Sequence, residues 1–348
     1  MAVARFDPAQ YYSRQIALKE IGEEGQKRLR RSRVAVIGIG GIGTVSALYL
    51  TLVGVGSLVL VDQDTVELHN LHRQILFSVE DLRLPKAEVA ARKLMRVNPE
   101  VDISSISDNL REENVEEILL GVNVVVDGLD NMQSRYIINS ACSRLSIPYV
   151  FGGAIAMEGN VSVFHPPETP CLECVLPAFD DRYLPGCDTR GVLGATAGII
   201  GSIQAMETVK LLAGVEDTLK GKLLVCDFRR MDFEKIEIFR RQGCSVCGTI
   251  AAEGIKRSKQ LFWLCGGDTV NVNPIKPIEL NLDGTISKLR ERFTILATSP
   301  IVVVFRHGQS EVSLFRNGRM LIKGVAVESE ALKMYNEVSG FFAMFDRS

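Results

Sequence analysis

The chain has 348 residues, of which 46% are apolar and 24% charged, a composition typical of a folded globular protein with room for one large domain and one small one. A formal net charge of −2 favours neither nucleic acid nor an anionic membrane as a partner. The N-terminus lacks the apolar core of a secretory signal, and every apolar run is far shorter than a membrane span of roughly 20 residues, so a cytoplasmic protein is expected.

Amphipathic and short apolar segments alternate along the first 150 residues. A helix is expected over residues 5–32. The predicted strands are Arg33–Gly38, Ser57–Asp62, Asp102–Ser107, Val122–Asp127 and Pro148–Phe151, and the predicted helices between them are Thr44–Val53, Lys86–Val97 and Ser134–Leu145. Nearly all-apolar strands that alternate with helices indicate a parallel sheet covered on both faces, so the sequence predicts a doubly wound, Rossmann-like α/β fold.

The pattern changes in the second half of the chain. Residues 156–165 alternate as in antiparallel strands, and Gly191–Gly214 is so rich in Gly and Ala that a pair of closely packed helices is expected. Composition shifts after Gly248, which predicts a domain over 1–250, an irregular linker over 251–270 and a small α+β domain over 271–348. Asn317-Gly318, between two alternating segments, predicts a hairpin.

A glycine-rich turn follows the first predicted strand directly. Its glycines are Gly38, Gly40, Gly41 and Gly43 in a GxGxxG pattern, and Asp62 ends the next strand. Glycines there let backbone N–H groups approach a phosphate at a helix N-terminus, and the acid can hold ribose hydroxyls. The turn therefore predicts a nucleotide site, and on this motif alone a dinucleotide-dependent oxidoreductase would be the favoured class.

Charged and amide side chains come immediately after Asp62 and at two later points beside the same site. They are Asp64, Asn70, Arg73, Lys86, Asp130 and Asn131. Arginine and lysine can neutralise a triphosphate and a carboxylate can bind Mg²⁺, which is the equipment for attack on an α-phosphate rather than for hydride transfer. Taken singly, Asp130 could equally be the N-cap of the helix that follows, and Lys86 a solvated surface charge.

Four of the eight cysteines form two CxxC pairs, Cys171–Cys174 and Cys244–Cys247, separated by 69 residues. Two such pairs complete a closed tetrahedral Zn²⁺ site, which would be structural because no ligand position stays open. The alternative is a redox CxxC, which would be expected after a strand at a helix N-terminus. Cys142 and Cys226 lie in apolar segments and are expected in the core.

An ordered set of motifs over roughly residues 8–248 resembles the MoeB/ThiF family of protein adenylyltransferases, relatives of the ubiquitin-activating enzymes. The motifs are YYSRQ, GIGGIG, LVDQDTVELHNLHRQ, LPKAEVA, DGLDN, PCLEC, GVLGATAGIIGSIQAMETVKLLAG and CSVCG. The resemblance implies ATP- and Mg²⁺-dependent adenylation of the C-terminal glycine of a ubiquitin-like or sulfur-carrier protein. The acyl group would then pass to sulfur, as a thioester or a thiocarboxylate.

The same resemblance implies roles for individual residues. Asp62 would bind the ribose, Gly41 the phosphates, Asp130 Mg²⁺, the four cysteines Zn²⁺, and the triphosphate would be held by Asn70, Arg73 and Lys86. Arg14 would reach into the ATP site of a partner subunit, which implies a homodimer. The other interpretation of Arg14 is an ordinary surface arginine.

Two features leave open how the acyl group passes to sulfur after adenylation. Cys187, in the PGCDTR segment, would attack the acyl-adenylate if Arg190 and a helix N-terminus lower its pKa, or it is a bystander. The C-terminal unit has no cysteine from Asn271 onward, so it is not itself a rhodanese-type sulfur donor. By its order of elements it is expected to be a ubiquitin-fold-like docking module for a conjugating enzyme or sulfur donor, or else a stabilising or dimerising appendage.

Overall fold

The computed structural model describes residues 6–177, 190–248, 260–263, 268–276 and 278–344. The chain divides into two compact units, Met1–Ile255 and Lys256–Ser348. The strands of the first unit are β1 Arg33–Ile37, β2 Ser57–Val61, β3 Asp102–Ile106, β4 Val124–Asp127, β5 Tyr149–Ile155, β6 Glu158–Phe164, β7 Lys222–Asp227 and β8 Asp232–Glu237.

These strands form one sheet in the order β3-β2-β1-β4-β5-β6-β7-β8. The first five pair in parallel, and the remaining pairs are antiparallel. The strand order reverses between β1 and β4, and a crevice for ligands opens at such a point beyond the carboxyl ends of the strands. The α/β, mostly parallel prediction and the antiparallel segment after residue 156 are confirmed.

Helices cover both faces of this sheet. They are α1 Pro8–Tyr11, α2 Ser13–Ile16, α3 Gly22–Arg31, α4 Gly41–Leu52, α5 Lys86–Val97, α6 Val115–Ile118, α7 Met132–Leu145, α8 Leu172–Val175 and α9 Gly194–Ala213. Alternate residues of β1 belong to different apolar cores, with Val34 and Val36 in one and Ala35 and Ile37 in the other. Such strands are apolar on both faces because neither face meets water.

The N-terminal segment differs from the single helix predicted over residues 5–32. It consists of α1, α2 and α3, and Gly22 at the start of α3 has φ +58°. A residue in this left-handed conformation cannot continue a right-handed helix, so the chain changes direction there. Tyr12, between α1 and α2, anchors the segment because its buried hydroxyl accepts a hydrogen bond of 2.8 Å from Asn98 Nδ2.

The Gly/Ala-rich segment is one helix, α9, within the described residues, and not the predicted pair. Its small residues allow close packing on α4, as expected. A Cβ at Gly201 would lie 2.6 Å from the carbonyl oxygen of Ile42, and Ser46 Oγ donates to the carbonyl of Gly201 at 3.0 Å. Neither α9 nor any other helix among the described residues is both long and apolar enough to cross a membrane.

The second unit is an antiparallel sheet with two helices. Its elements are β9 Leu261–Trp263, β10 Thr269–Val272, α10 Leu282–Arg290, β11 Thr294–Thr298, β12 Val302–His307, β13 Ser310–Phe315, β14 Met320–Lys323 and α11 Glu328–Ser339. The strand order is β11-β12-β13-β14-β10-β9. The α+β prediction is confirmed. Because every pair among the described strands is antiparallel, the unit differs from the ubiquitin fold, whose sheet is mixed.

Two local predictions for this unit have different outcomes. The predicted hairpin at Asn317-Gly318 is present between β13 and β14, with Gly318 at φ +79°. The linker over 251–270, expected to be irregular, contains β9 and the first residues of β10 in its described part. These strands are short. β9 pairs with β10, and β10 pairs with β14, a contact between distant parts of the chain that no local pattern reports.

Candidate functional site

The glycine turn joins β1 to α4 at the point where the sheet order reverses. Gly38 has φ +90° and donates to the carbonyl of Val61 at 2.7 Å. A Cβ at Gly43 would lie 1.9 Å from Gly38 O, and one at Gly128 would lie 2.0 Å from the same atom. Side chains at Gly38, Gly43 and Gly128 would therefore prevent the close contact between the turn and the loop after β4.

The other two glycines of the motif have a different environment. Gly40 is the N-cap of α4, Gly41 its first residue, and a Cβ at Gly40 would meet nothing closer than 3.6 Å. The first amides of the helix have no partner inside the helix, and the macrodipole places partial positive charge there. The turn is thus built to receive an anion.

Asp62 fixes the turn to the end of β2. Its carboxylate accepts hydrogen bonds from the amide of Ile39 at 2.6 Å and from the amide of Asp64 at 2.8 Å. Burial raises the pKa of Asp62 to about 6, against the opposing influence of Lys86. Each oxygen retains capacity for a further hydrogen bond, so the group can still accept from a ligand hydroxyl.

Lys86, which is buried, forms an ion pair with the partly exposed Asp64 beside Asp62. Lys86 Nζ lies 2.9 Å from Asp64 Oδ2, and the lysine is 6% exposed. Burial alone would lower the pKa of Lys86, but the carboxylates of Asp64, Asp62 and Asp130 raise it above its usual value, so the ammonium stays charged. Asp64 Oδ1 is buried and has no hydrogen-bond partner among the described residues. A buried acceptor of this kind fits a hydroxyl or water brought by a ligand.

The segment after Asp64 brings an amide and a guanidinium to the turn. Asn70 is buried and accepts from the amide of Glu67 at 3.3 Å. Arg73 donates to the carbonyl of His69 at 2.9 Å, and its Cγ would lie 3.5 Å from a Cβ at Gly41. Gln74 is 3% exposed, and its Oε1 has no partner in the described part of the chain. Sequence reasoning gave Gln74 no role, although its place next to Arg73 could have suggested one.

Asp130 and Asn131 lie in the loop after β4, on the other side of the crevice. Asn131 Oδ1 accepts from the amide of Ser134 at 2.9 Å, so Asn131 is the N-cap of α7. The alternative that Asp130 serves as this cap is therefore wrong. Asp130 is exposed, accepts from Asn131 Nδ2 at 3.3 Å, and is near enough to Lys86 to influence the lysine pKa.

A buried ion pair that sequence reasoning missed lies beneath this loop. Arg135 Nε lies 3.0 Å from Asp127 Oδ2, and the hydroxyl of Tyr149 donates to the same oxygen at 2.6 Å. Burial raises the pKa of Asp127, although Arg135 and Tyr149 oppose the shift. The only sequence signal was an acid at the end of an apolar strand, and its cation is eight residues away on a helix.

One predicted site residue, Arg14, does not reach the crevice of its own chain. Arg14 lies in α2 with an exposed side chain, and no ion pair holds it within the described residues. The prediction for Cys187 falls on a position outside the described residues.

The four cysteines of the two CxxC pairs form a compact cluster in the first unit. Their sulfur atoms all lie within 4.8 Å of one another, with separations of 3.9 Å for Cys171–Cys174, 3.6 Å for Cys171–Cys244 and 3.4 Å for Cys174–Cys247. A tetrahedral Zn²⁺ with Zn–S bonds of about 2.3 Å requires sulfur separations of about 3.8 Å. The cluster is therefore consistent with zinc, and all four ligand positions are filled by protein.

A sheet that reverses its order at a glycine turn, with acids at the carboxyl ends of β2 and β4, is a Rossmann-like arrangement, a class of fold in which ligands bind in the crevice at this point. The cluster of four cysteines restricts the possible class further, to Rossmann-like proteins that also carry such a cluster. Residues 12–246 match the model of the ThiF family, and the chain belongs to that family.

Two relatives support this membership, and one of them matches along both units. The chain is 40% identical over 247 residues to the sulfur carrier protein ThiS adenylyltransferase of Escherichia coli, which covers 70% of this chain and 97% of the relative. It is 32% identical over 337 residues to the protein of the same name from Bacillus subtilis, covering 94% and 99% of the two chains. The crystal structure of E. coli MccB has a TM-score of 0.61 at 23% identity, covering 73% of this chain and 77% of that one, which supports the fold.

Proposed function

We propose that this chain is a sulfur carrier protein adenylyltransferase, which uses ATP and Mg²⁺ to activate the C-terminal carboxylate of a small sulfur-carrier or ubiquitin-like protein. The observation that carries the proposal is the ion pair of the buried Lys86 with Asp64, beside Asp62 and the glycine turn. A charged lysine beside the glycine turn could neutralise a triphosphate, and hydride transfer does not require one. The match to the B. subtilis relative along nearly the whole chain supports the same function.

ATP would lie along the carboxyl edge of the sheet. The amides at Gly40 and Gly41 would hold phosphate oxygens, and Asp62 would accept from the ribose hydroxyls. Asp64 Oδ1, buried without a partner among the described residues, fits a further ligand hydroxyl or ordered water. Lys86, Arg73 and Asn70 would contact the triphosphate, with the lysine already protonated in this environment.

Mg²⁺ would be held at Asp130, with Asn131 beside it. The donor set fits, because Asp130 is an exposed carboxylate that is not used as a helix cap. Mg²⁺ favours one or two carboxylates together with phosphate oxygens and water, and it would neutralise charge on the phosphates during the reaction.

The carrier carboxylate is ionised at neutral pH, so attack requires no general base. One of its oxygens forms a bond to the α-phosphorus as the bond to the bridging oxygen breaks, and pyrophosphate leaves with that electron pair. This chain's residues would act by position and charge: Lys86 and Arg73 at the phosphates, with Arg14 supplied by a partner subunit of a homodimer.

The acyl group of the adenylate would next pass to sulfur with release of AMP. Cys187 would accept it if the enzyme itself forms a thioester, and a sulfur donor or a conjugating enzyme would accept it otherwise. Zn²⁺ in the tetracysteine site would have a structural role, because four thiolates leave no open ligand position for a substrate.

The test is ATP–pyrophosphate exchange with a panel of small Gly-Gly-ending proteins from the same source. Exchange should require Mg²⁺ and one carrier, and Asp130→Ala should lower it by at least about a hundredfold, the loss typical of a removed charge-stabilising group. Asp102→Ala, an exposed acid at the start of β3, is the matched control and should retain full exchange. Absence of exchange with every carrier, or NAD(H) binding independent of Mg²⁺, would contradict the proposal.

A further inference from the structure

The loop that carries Asp130 is fixed by a buried guanidinium that the reaction itself does not use. Arg135, in the first turn and a half of α7, has a side chain that is 12% exposed. Its Nη2 donates to the carbonyl of Leu129 at 2.6 Å and to the carbonyl of Gly152 in β5 at 2.9 Å, while its Nε pairs with Asp127 at 3.0 Å. One planar side chain thus joins β4, the loop and β5.

The backbone amide and the backbone carbonyl of Leu129 both form hydrogen bonds to the Arg135–Asp127 ion pair. Asp127 Oδ1 accepts from the amide of Leu129 at 2.8 Å, and Arg135 binds the carbonyl of the same residue. Leu129 immediately precedes Asp130, so the peptide leading into Asp130 has little freedom to rotate. Asn131, on the other side, is fixed as the N-cap of α7.

The network also reaches the helix that begins at the glycine turn. Gln204 of α9 donates from Nε2 to the carbonyl of Asp127 at 2.8 Å and to that of Val150 at 3.1 Å. Its Oε1 accepts from Ser46 of α4 at 3.0 Å. The loop with Asp130 and the phosphate-binding helix α4 are therefore connected through buried hydrogen bonds, which hold their geometry because breaking one leaves an unpaired polar group.

We propose that Arg135 is a positioning residue for adenylation, whose bridge from Asp127 and Leu129 to Gly152 fixes Asp130 where it binds the metal of the Mg²⁺–ATP complex. This inference rests on the proposed function, since it assigns Arg135 to the same site. Arg135 acts through Asp130 and is not expected to touch ATP.

The experiment measures ATP–pyrophosphate exchange as a function of Mg²⁺ concentration in the full chain. Arg135→Lys keeps the charge but cannot bridge three acceptors in one plane. We expect the Mg²⁺ concentration at half-maximal exchange to rise by about fivefold or more and the saturating rate to fall about tenfold, in the range that a small misplacement of a catalytic group produces. The KM for the carrier should not change.

Arg144→Gln is the matched control. Arg144 lies on the same helix α7 with a half-exposed side chain paired to Glu116, so its loss should change neither quantity by more than about twofold. Since Arg135→Gln leaves Asp127 buried without its cation and can prevent folding, the double variant Asp127→Asn/Arg135→Gln removes both charges. It should show a Mg²⁺ requirement shifted at least as far as that of Arg135→Lys.

A purely structural role predicts a different result. If Arg135→Lys and the double variant lower the melting temperature but leave the Mg²⁺ dependence and the rate per folded molecule unchanged, the positioning role is overturned while the proposed function stands. If the unmodified protein shows no exchange with any carrier, the proposed function fails and the positioning role fails with it.

Discussion

At the scale of single residues, Asp62 is buried, which disfavours its charge, although the proposed ribose contact requires it to be ionised. It lies at the buried end of β2, where both carboxylate oxygens accept backbone amides, and burial raises its pKa from 3.8 to about 6. The folded protein therefore binds this proton more tightly than the unfolded chain does. Its contribution to stability is fully present below pH 3.8 and is lost as the pH rises through about 6, where the ionised form that the proposed ribose contact requires is produced.

Ribose binding should consequently depend on the ionisation of Asp62. We expect ATP affinity, measured by calorimetry at fixed Mg²⁺, to fall as the pH is lowered through about 6, because a protonated carboxyl has lost acceptor capacity. The Asp62→Asn variant should bind ATP more weakly, and its pH profile should show only the titration of ATP itself. Identical profiles for the two proteins would show that Asp62 does not titrate in this range.

The glycines of the turn should differ sharply in their tolerance of alanine. Gly43→Ala places a methyl group 1.9 Å from Gly38 O and should unfold or strongly destabilise the first unit, by about 3 kcal/mol or more. Gly40→Ala meets no atom closer than 3.6 Å and should leave the melting temperature within a few degrees. Thermal unfolding of the two variants decides this, and equal stability would contradict the assigned geometry of the turn.

At the scale of elements, the tetracysteine cluster joins two parts of the chain that are far apart in sequence. Cys171 is the N-cap of α8, and Leu172, the first residue of that helix, donates its amide to Asn139 Oδ1 on α7 at 2.8 Å. The cluster is thus tied to the helix whose N-terminus carries the loop with Asp130. A metal held here would stabilise the arrangement of α7 and α8 and would take no part in the chemistry.

We expect one Zn²⁺ per chain by elemental analysis. Cys174→Ser should lose it and lower the melting temperature by more than about 5 °C, since about 1 kcal/mol corresponds to 2–4 °C in a domain of this size. Ser245→Ala, a residue between the second pair of cysteines with an exposed hydroxyl bonded to Glu173, is the matched control and should keep the metal. A Cys174→Ser protein with unchanged stability would exclude a structural zinc site.

At the scale of the whole molecule, Arg14 raises the question of a second subunit. Its exposed side chain has no ion pair within the described residues, which is compatible with an action on another copy of the chain. In a twofold-symmetric dimer each site would then combine Asp130 of one subunit with Arg14 of the other.

This arrangement predicts complementation between two inactive proteins. Arg14→Ala and Asp130→Ala homodimers should each lack exchange, whereas co-expression should restore about a quarter of the unmodified rate, because half of the dimers are mixed and each has one complete site. Arg31→Ala, an exposed arginine at the end of α3, should stay active alone. No recovery in verified mixed dimers would place Arg14 outside the partner's site.

Much of the first unit could be predicted from the sequence because its signals are local. The strands β1, β2 and β4 are continuous apolar runs, the turn glycines follow β1 directly, and acids end β2 and β4. Spacing within the two CxxC pairs likewise fixes which sulfurs can share a metal. Asp62 follows from these local patterns, whereas the roles expected of Lys86 and Asp130 also depended on the combination of charged residues beside the turn and on the family resemblance.

Other features were decided only by the tertiary structure. The capping of α7 by Asn131 instead of Asp130, the single helix α9, and the strands β9 and β10 each depend on contacts that sequence spacing does not report. The same holds for the bridge of Arg135 to Asp127, Leu129 and Gly152.

The sequence by itself determined the alternation of β1 to β5 with helices, the glycine turn, the candidate phosphate and metal ligands and the family resemblance. Each follows from patterns a few residues long, whose periods match helices, strands and ligand spacings. The tertiary structure decided which buried polar group meets which partner. That choice depends on sheet order and helix packing, which bring together residues such as Lys86 and Asp64, 22 positions apart, and Gln204 and Asp127, 77 positions apart.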